Sequence, residues 1–214
     1  MSDTAEVILE ERGNLGVITL NKPQALNALS LAMIAVIEPQ LHAWASDDNI
    51  AAVVIQGAGD RVFCAGGDIQ DLYEKRGNNY GAIYFTAEYS LNVTIFNYPK
   101  PYIALMDGVV MGGGVGVSVH GSHRVVTERT LFAMPETGIV LFPDIGASWF
   151  LTRCPGEIGM YLGLTGYRMR AADCLYAGIG DVHIPSDNLD AVIDALVSTP
   201  PEADVISAVL SQFS

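Results

Sequence analysis

The sequence predicts an α/β fold with buried, largely parallel strands. Short apolar, β-branched runs alternate with stretches of helical periodicity. Half of the 214 residues are hydrophobic and 16% are charged, so a sizeable core can form within one large domain or two small ones. We find no repeat, low-complexity tract or obvious linker. Strands of this apolar character are typical of sheets that helices cover on both faces.

Six runs predict the strands. Residues 7–9 and 16–20 are β-rich and flank Gly13-Asn14, which indicates a hairpin. Two buried strands are predicted over residues 51–56 and 101–106, and two short ones around a turn over residues 124–127 and 131–133. Residues 57–68 contain four glycines and are interpreted as a loop.

Helical spacing predicts the remaining elements. Ser30 is a fair N-cap for a first helix, which Pro39 must kink or interrupt. A second helix is predicted over residues 80–97, with Tyr84, Ala87, Leu91 and Ile95 facing inward. Further helices are expected over residues 145–153, 157–164 and 189–197, and one isolated helix within the last fifteen residues.

The charge balance argues against several partners. Lys and Arg number 11 and Asp and Glu 24, a net charge of −13, which repels phosphate backbones and anionic lipid. We therefore expect neither nucleic acid nor membrane as a partner. Three cysteines without paired spacing disfavour zinc and disulfides. The polar, acidic first residues resemble neither a signal nor a transit peptide, so the sequence predicts a cytoplasmic location.

Two common motifs are incomplete. Gly57-Ala58-Gly59 follows a strand, but Val62 occupies the last glycine position of a dinucleotide fingerprint and no helix follows at once. Ser118 and Ser148 begin like nucleophile elbows without the closing glycine. Structural or surface roles are the favoured interpretation of the four histidines, His42, His120, His123 and His183.

Two glycine-rich turns carry more information. Residues 64–68 and residues 111–114 each follow a predicted buried strand and come just before a helix start. If the fold brings them together, their backbone N–H groups could stabilise an oxyanion. The alternative is that these glycines serve only tight turns and close helix packing.

Three carboxylates, those of Glu88, Glu136 and Asp144, have mainly apolar neighbours in the sequence. Burial disfavours the ionised form of a carboxyl group, which suits acid–base chemistry near neutral pH. Glu88 could instead pair internally, and Asp144 could cap a helix that starts at Ile145. Glu136 has the weakest structural explanation and is the favoured catalytic candidate.

Four motifs in order resemble the crotonase (enoyl-CoA hydratase/isomerase) superfamily. They are Leu20-Asn21-Lys22-Pro23 with Asn27-Ala28-Leu29, then residues 63–69 (FCAGGDI), then residues 111–116 (MGGGVG), then Met134-Pro135-Glu136. The chain is most similar to the 3-hydroxyisobutyryl-CoA hydrolase subfamily, through residues 112–121 (GGGVGVSVHG) and 131–144 (LFAMPETGIVLFPD).

The resemblance implies a crotonase-like spiral of ββα units that binds an acyl-CoA. By motif position, the oxyanion-hole donors would be the amides of Gly67 and Gly113. Hydratases of the superfamily carry a catalytic glutamate three residues after the second donor, where this sequence has Gly116. Their second glutamate matches Glu136, so the pair needed for hydration is incomplete.

The hydrolase subfamily instead pairs that glutamate with an aspartate eight residues later, matched by Asp144, and contacts its substrate through a glutamate matched by Glu88. The resemblance therefore implies a thioester hydrolase in valine catabolism, with Glu136 and Asp144 as catalytic residues. Glu88, Gly113, Glu136 and Asp144 would contact the substrate. No cofactor is expected, since coenzyme A is part of the substrate, and Lys22 is a weaker candidate for contacting its phosphates.

The resemblance covers about residues 6–190. We assign residues 1–198 to an acyl-CoA-binding domain and residues 199–214 to a tail or the start of a helical region. Family members usually continue into C-terminal helices that cover the pocket and build subunit contacts, so a fragment or an uncovered pocket is expected, and a homo-oligomer is possible. Hydratase or isomerase activity and a non-catalytic scaffold remain the alternatives.

Overall fold

Two sheets of parallel strands form the centre of the fold. The computed structural model describes residues 5–197, 199–200 and 202–214. The large sheet has the strand order β1-β2-β3-β5-β7-β9 and the small sheet β4-β6-β8. Neighbouring strands are parallel except for the β1–β2 hairpin. The strands are β1 Val7–Arg12, β2 Leu15–Leu20, β3 Ala52–Gly57, β4 Val62–Cys64, β5 Tyr102–Met106, β6 Val109–Met111, β7 His123–Val126, β8 Leu131–Ala133 and β9 Val182–His183.

The chain alternates between the sheets. Three times in succession, a strand of the large sheet is followed by a short strand of the small sheet: β3 by β4, β5 by β6, and β7 by β8. Helices separate these strand pairs or follow them. This arrangement confirms the predicted α/β fold with repeated ββα units.

The helices are α1 Leu31–Ser46, α2 Ile69–Glu74, α3 Tyr80–Phe96, α4 Gly113–Gly116, α5 Ala147–Phe150, α6 Ile158–Thr165, α7 Ala171–Tyr176, α8 Leu189–Leu196 and α9 Ala203–Ser211. The Ser30 side chain caps α1 by accepting a hydrogen bond from Met33 N at 3.1 Å. Pro39 does not interrupt α1, which continues to Ser46.

The large sheet is buried on both faces. Side chains alternate across a strand, so Val53 and Ile55 of β3 contact one apolar cluster while Val54 contacts the other. The first cluster lies between the two sheets and the long helices α1 and α3. The second is covered by α8 and α9.

Several expectations from the sequence need correction. Residues 57–68 contain the short strand β4, and the predictions omitted α2 and α7, which bury almost no side chains. The last helix is not isolated, because Ile206 and Leu210 pack with α8 in the second cluster. The domain boundary assigned at residue 198 lies outside the described residues. Among the described residues, no helix is both long and apolar enough to cross a membrane.

Candidate active site

Three of the predicted site residues lie just after the carboxyl ends of the strands of the small sheet. Parallel neighbours end at the same edge of a sheet, so the turns after β4, β6 and β8 meet there. Gly67 lies three residues after β4, Gly113 two residues after β6, and Glu136 three residues after β8. The helix α3 crosses this edge and contributes Glu88.

The two glycine turns converge. A Cβ atom placed on Gly113 would lie 3.1 Å from Gly67 N, and one placed on Gly66 would lie 4.0 Å from Gly113 N. The turns need glycine, since Gly66 has φ +128° and Gly112 φ +47°. Among the described residues, neither the Gly67 nor the Gly113 amide donates a hydrogen bond. Both amides are therefore free, among the described residues, to donate to a ligand.

Glu136 is a buried carboxylate without a complete set of partners. Its residue is 5% exposed, and among the described residues its Oε2 atom has no hydrogen-bond partner. Its Oε1 lies 3.4 Å from where a Cβ of Gly112 would be, which puts the carboxylate against the second glycine turn. Burial, aided by the negative charge of Asp144, raises the pKa of Glu136 to about 7.

Glu88 faces the same turn from α3. Its Oε1 is 2.5 Å from where a Cβ of Gly113 would be, so only glycine leaves room for it. The Tyr84 hydroxyl lies 3.2 Å from Glu88 Oε1 and 2.9 Å from Leu29 O, and has one proton to donate between them. Burial and the charges of Asp144 and Glu136 raise the pKa of Glu88 to about 7, against the opposing effect of the Tyr84 hydrogen bond.

Asp144 does not cap a helix. The structure begins α5 at Ala147 instead of Ile145, with Gly146 as the N-cap and no side-chain capping bond. The Asp144 carboxylate instead accepts a hydrogen bond from the Tyr89 hydroxyl at 2.6 Å. Asp144 is partly buried, and its charge influences both Glu88 and Glu136. The capping interpretation is wrong, and the aspartate belongs to the carboxylate group around the glycine turns.

An apolar cavity of about 570 Å³ opens beside these groups. Its wall combines α3 with the loop that carries Asp144 and the start of α5. Glu88 and Glu136 are not part of that wall. The lining residues are Tyr89, Asn92, Val93, Phe96, His120 and residues 142–149.

The residues of the incomplete motifs and the other polar candidates have structural contacts. The Gly57-Ala58-Gly59 run leads into β4 and not into a helix. The buried Ser118 hydroxyl donates to Gly114 O at 2.8 Å. His120 binds Ile145 O at 2.7 Å through Nε2. Lys22 forms ion pairs with Glu6 at 3.0 Å and Asp68 at 3.1 Å, so much of its charge is already neutralised.

A sequence profile of enoyl-CoA hydratase/isomerase matches residues 15–214, which include the whole of this site. The chain belongs to the enoyl-CoA hydratase/isomerase family. This membership confirms the superfamily that the four motifs predicted. The mitochondrial 3-hydroxyisobutyryl-CoA hydrolase of Rattus norvegicus is 50% identical over 99% of this chain and 56% of its own length. The chain thus spans about half the length of the curated relatives it matches.

Solved structures of family members share the fold. A carnitinyl-CoA dehydratase from Mycobacterium thermoresistibile is 41% identical with a TM-score of 0.91, covering 98% of this chain and 61% of that one. An enoyl-CoA hydratase from Rhodobacter sphaeroides 2.4.1 is 41% identical with a TM-score of 0.88, covering 90% of this chain and 58% of that one. These similarities confirm the crotonase fold.

One prediction is overturned by the family comparison. The chain was expected to be cytoplasmic, but the rat relative and others of 45–50% identity are named mitochondrial. The prediction rested on polar first residues and free cysteines. Free cysteines fit any compartment that keeps thiols reduced. The polar first residues do not single out one of these compartments either.

Sequence reasoning missed the polar roles of three side chains in this region of the fold. Tyr84 binds Glu88, Tyr89 binds Asp144, and Asn92 is buried beside the cavity. Asn92 follows Glu88 by four residues, which places both on the same face of α3. That spacing was the available signal for Asn92.

Proposed function

We propose that the chain hydrolyses a short, branched 3-hydroxyacyl-CoA thioester, such as 3-hydroxyisobutyryl-CoA, to the free acid and coenzyme A. The observation that carries this proposal is that the Gly67 and Gly113 amides, which donate no hydrogen bond among the described residues, lie close together beside Glu136, whose Oε2 atom has no partner there. The name of the rat relative, 50% identical, supports the same substrate, and a role in valine catabolism would follow from it.

In the proposed reaction, the thioester oxygen accepts hydrogen bonds from the Gly67 and Gly113 amides. Attack on the carbonyl carbon moves negative charge onto that oxygen, and fixed amides stabilise it more in the transition state than in the ground state. Loss of one such donor typically costs about 2.7–4 kcal/mol.

Glu136 supplies the base or the nucleophile. Either it takes a proton from an attacking water, or it attacks the carbonyl itself and forms an anhydride that water then hydrolyses. In both routes the C–S bond breaks, and the thiolate of coenzyme A leaves and takes up a proton. A pKa near 7 suits the exchange of protons at neutral pH.

Asp144 and Glu88 have supporting roles in the proposal. Asp144, held by Tyr89, orients Glu136 or assists proton transfer to the leaving group. Glu88 accepts a hydrogen bond from the 3-hydroxyl group of the acyl chain. The reaction requires no cofactor apart from the coenzyme A of the substrate, and the homo-oligomer stays a prediction.

A thiol-release assay tests the proposal. The purified chain is given 3-hydroxyisobutyryl-CoA, isobutyryl-CoA and crotonyl-CoA, and both free thiol and loss of the crotonyl double bond are followed. We expect thiol release from 3-hydroxyisobutyryl-CoA and poor hydration of crotonyl-CoA, because Gly116 replaces one hydratase glutamate. Rapid hydration without thiol release would establish the hydratase alternative, and neither reaction with any of the three thioesters would favour a scaffold.

A further inference from the structure

Asn92 has a buried side-chain amide with no partner in the part of the chain that the structure describes. The residue is 5% exposed, and among the described residues neither its Oδ1 nor its Nδ2 atom forms a hydrogen bond. Buried polar side chains are nearly always paired, because an unmade hydrogen bond in the interior is destabilising. An amide that lacks both partners is therefore a candidate for contact with a ligand.

The amide lies against α4 at the position that distinguishes this chain from hydratases. A Cβ atom placed on Gly116 would be 2.8 Å from Asn92 Nδ2 and 2.9 Å from Oδ1. The Asn92 amide thus fills the space beside residue 116, where hydratases of the superfamily carry a glutamate. An amide cannot exchange a proton as a carboxylate does, but it can both donate and accept hydrogen bonds. Its chemistry suits recognition of a hydroxyl group.

We propose that Asn92 binds the 3-hydroxyl group of the acyl chain and so makes the site selective for 3-hydroxyacyl thioesters. This inference rests on the proposed function. The hydroxyl oxygen accepts a hydrogen bond from Asn92 Nδ2, while its proton goes to the Glu88 carboxylate one helical turn earlier. A single hydroxyl group can make both bonds at once.

The dimensions of the site agree with this assignment. The hydroxyl oxygen of a 3-hydroxyacyl group lies three bonds from the carbonyl carbon, roughly 3–4 Å away for bonds of about 1.5 Å. Gly113, which binds the carbonyl oxygen in the proposed reaction, precedes Gly116 by three residues, a rise of about 4.5 Å along a helix. Glu88 lies against the first of these glycines and Asn92 against the second, so the spacing of the two side chains is on the scale of the acyl chain.

The other polar groups of the cavity wall are already engaged or exposed. Tyr89 donates to Asp144, and His120 binds Ile145 O. Ser148 is exposed. Asn92 is therefore the wall residue with a buried, unpartnered amide, in a cavity otherwise lined mainly by apolar side chains.

The test compares two acyl groups that differ by one hydroxyl. Asn92→Leu keeps the approximate shape of the side chain and removes both polar atoms. We expect the ratio of kcat/KM for 3-hydroxyisobutyryl-CoA to kcat/KM for isobutyryl-CoA to fall about 10- to 100-fold, since only the hydroxylated substrate loses a bond. The matched control is Asn97→Leu, the same change at an exposed position that ends α3 outside the cavity, which should keep the wild-type ratio.

A smaller variant and a binding measurement keep the test decisive. Asn92→Ala removes the amide without risk of overpacking and should show the same fall if Asn92→Leu does not fold. The Kd values of both thioesters, measured in a Glu136→Gln background, should shift in the same ratio. Equal losses for both substrates would mean that Asn92 is only structural, while the proposed hydrolase would stand. Wild-type protein that cleaves neither thioester would refute the proposed function and this inference with it.

Discussion

Replacing Glu136 by Gln should remove activity and change the pH dependence of stability at the same time. Glu136 is 5% exposed and its Oε2 has no partner within the described ranges, so its charged form is poorly compensated. Gln has nearly the same shape but carries no titratable proton. The substitution therefore separates the consequences of charge from those of packing.

The stability change follows from the pKa shift. Burial raises the pKa of Glu136 from 4.5 to about 7, so between these pH values the unfolded chain has lost a proton that the folded chain keeps. The free energy of unfolding consequently falls as the pH rises through this window. One pKa unit corresponds to 1.36 kcal/mol, which gives a difference of about 2 kcal/mol between pH 5 and pH 8 from this group.

Urea denaturation of wild type and Glu136→Gln at pH 5 and pH 8 measures this difference. The cost of burying the Gln amide is the same at both pH values and cancels. The contribution of Glu88 cancels except for the part of its pKa shift that the charge of Glu136 causes. We expect Gln to become more favourable relative to Glu by about 2 kcal/mol at the higher pH. Equal pH dependence in the two proteins would show that Glu136 is not desolvated as the structure indicates.

The same variant tests the chemistry. Since Gln cannot accept a proton or act as a carboxylate nucleophile, kcat for thiol release should fall by about 10²–10⁴. Full turnover by Glu136→Gln would refute its assignment as the principal catalytic residue. A loss of turnover together with the expected stability change would tie both effects to one buried charge.

Three further substitutions test the rest of the site. Gly113→Pro removes the amide donor at the first residue of α4, where proline is tolerated. Its kcat should be about 10²–10³-fold lower than that of Gly113→Ala, which keeps the amide but also brings a Cβ against Glu88. Equal rates in the two variants, once circular dichroism shows that both fold, would mean that Gly113 is only a packing residue. Glu88→Gln should lower kcat/KM for 3-hydroxyisobutyryl-CoA more than for isobutyryl-CoA, and an equal loss on both would exclude hydroxyl recognition. Asp144→Asn should keep its thermal stability and lose rate, whereas unchanged turnover would remove Asp144 from the catalytic group.

Apolar periodicity predicted most of the large sheet and the long helices. Val53, Val54 and Ile55 of β3 are buried between two layers of helices, which a continuous apolar run predicts. The strand β4 was missed because its three residues lie among glycines, where no pattern of period two can develop. The helix α2 has no buried residues and so leaves no apolar stripe in the sequence.

The sequence predicted the site residues that belong to motifs. It did not predict the contacts that depend on tertiary packing. The structure brings together Gly67, Gly113 and Glu136, as motif order implied, because β4, β6 and β8 are neighbours. The alternative in which Asp144 caps a helix was wrong, since the positive φ angles of Ile145 and Gly146 delay the helix to Ala147. Pairing of this aspartate with Tyr89 joins residues 55 positions apart, which no local pattern reveals.

Because the chain alternates between two sheets, the large buried sheet is separate from the strands that position the candidate site. The large sheet contributes side chains to both apolar clusters, whereas Gly67, Gly113 and Glu136 each follow a different three-residue strand of the small sheet. A substitution at the end of one of these short strands therefore changes the candidate site and leaves the large sheet as it is. Two relatives, named an enoyl-CoA hydratase and a carnitinyl-CoA dehydratase, share this arrangement with TM-scores of 0.88 and 0.91 to this chain.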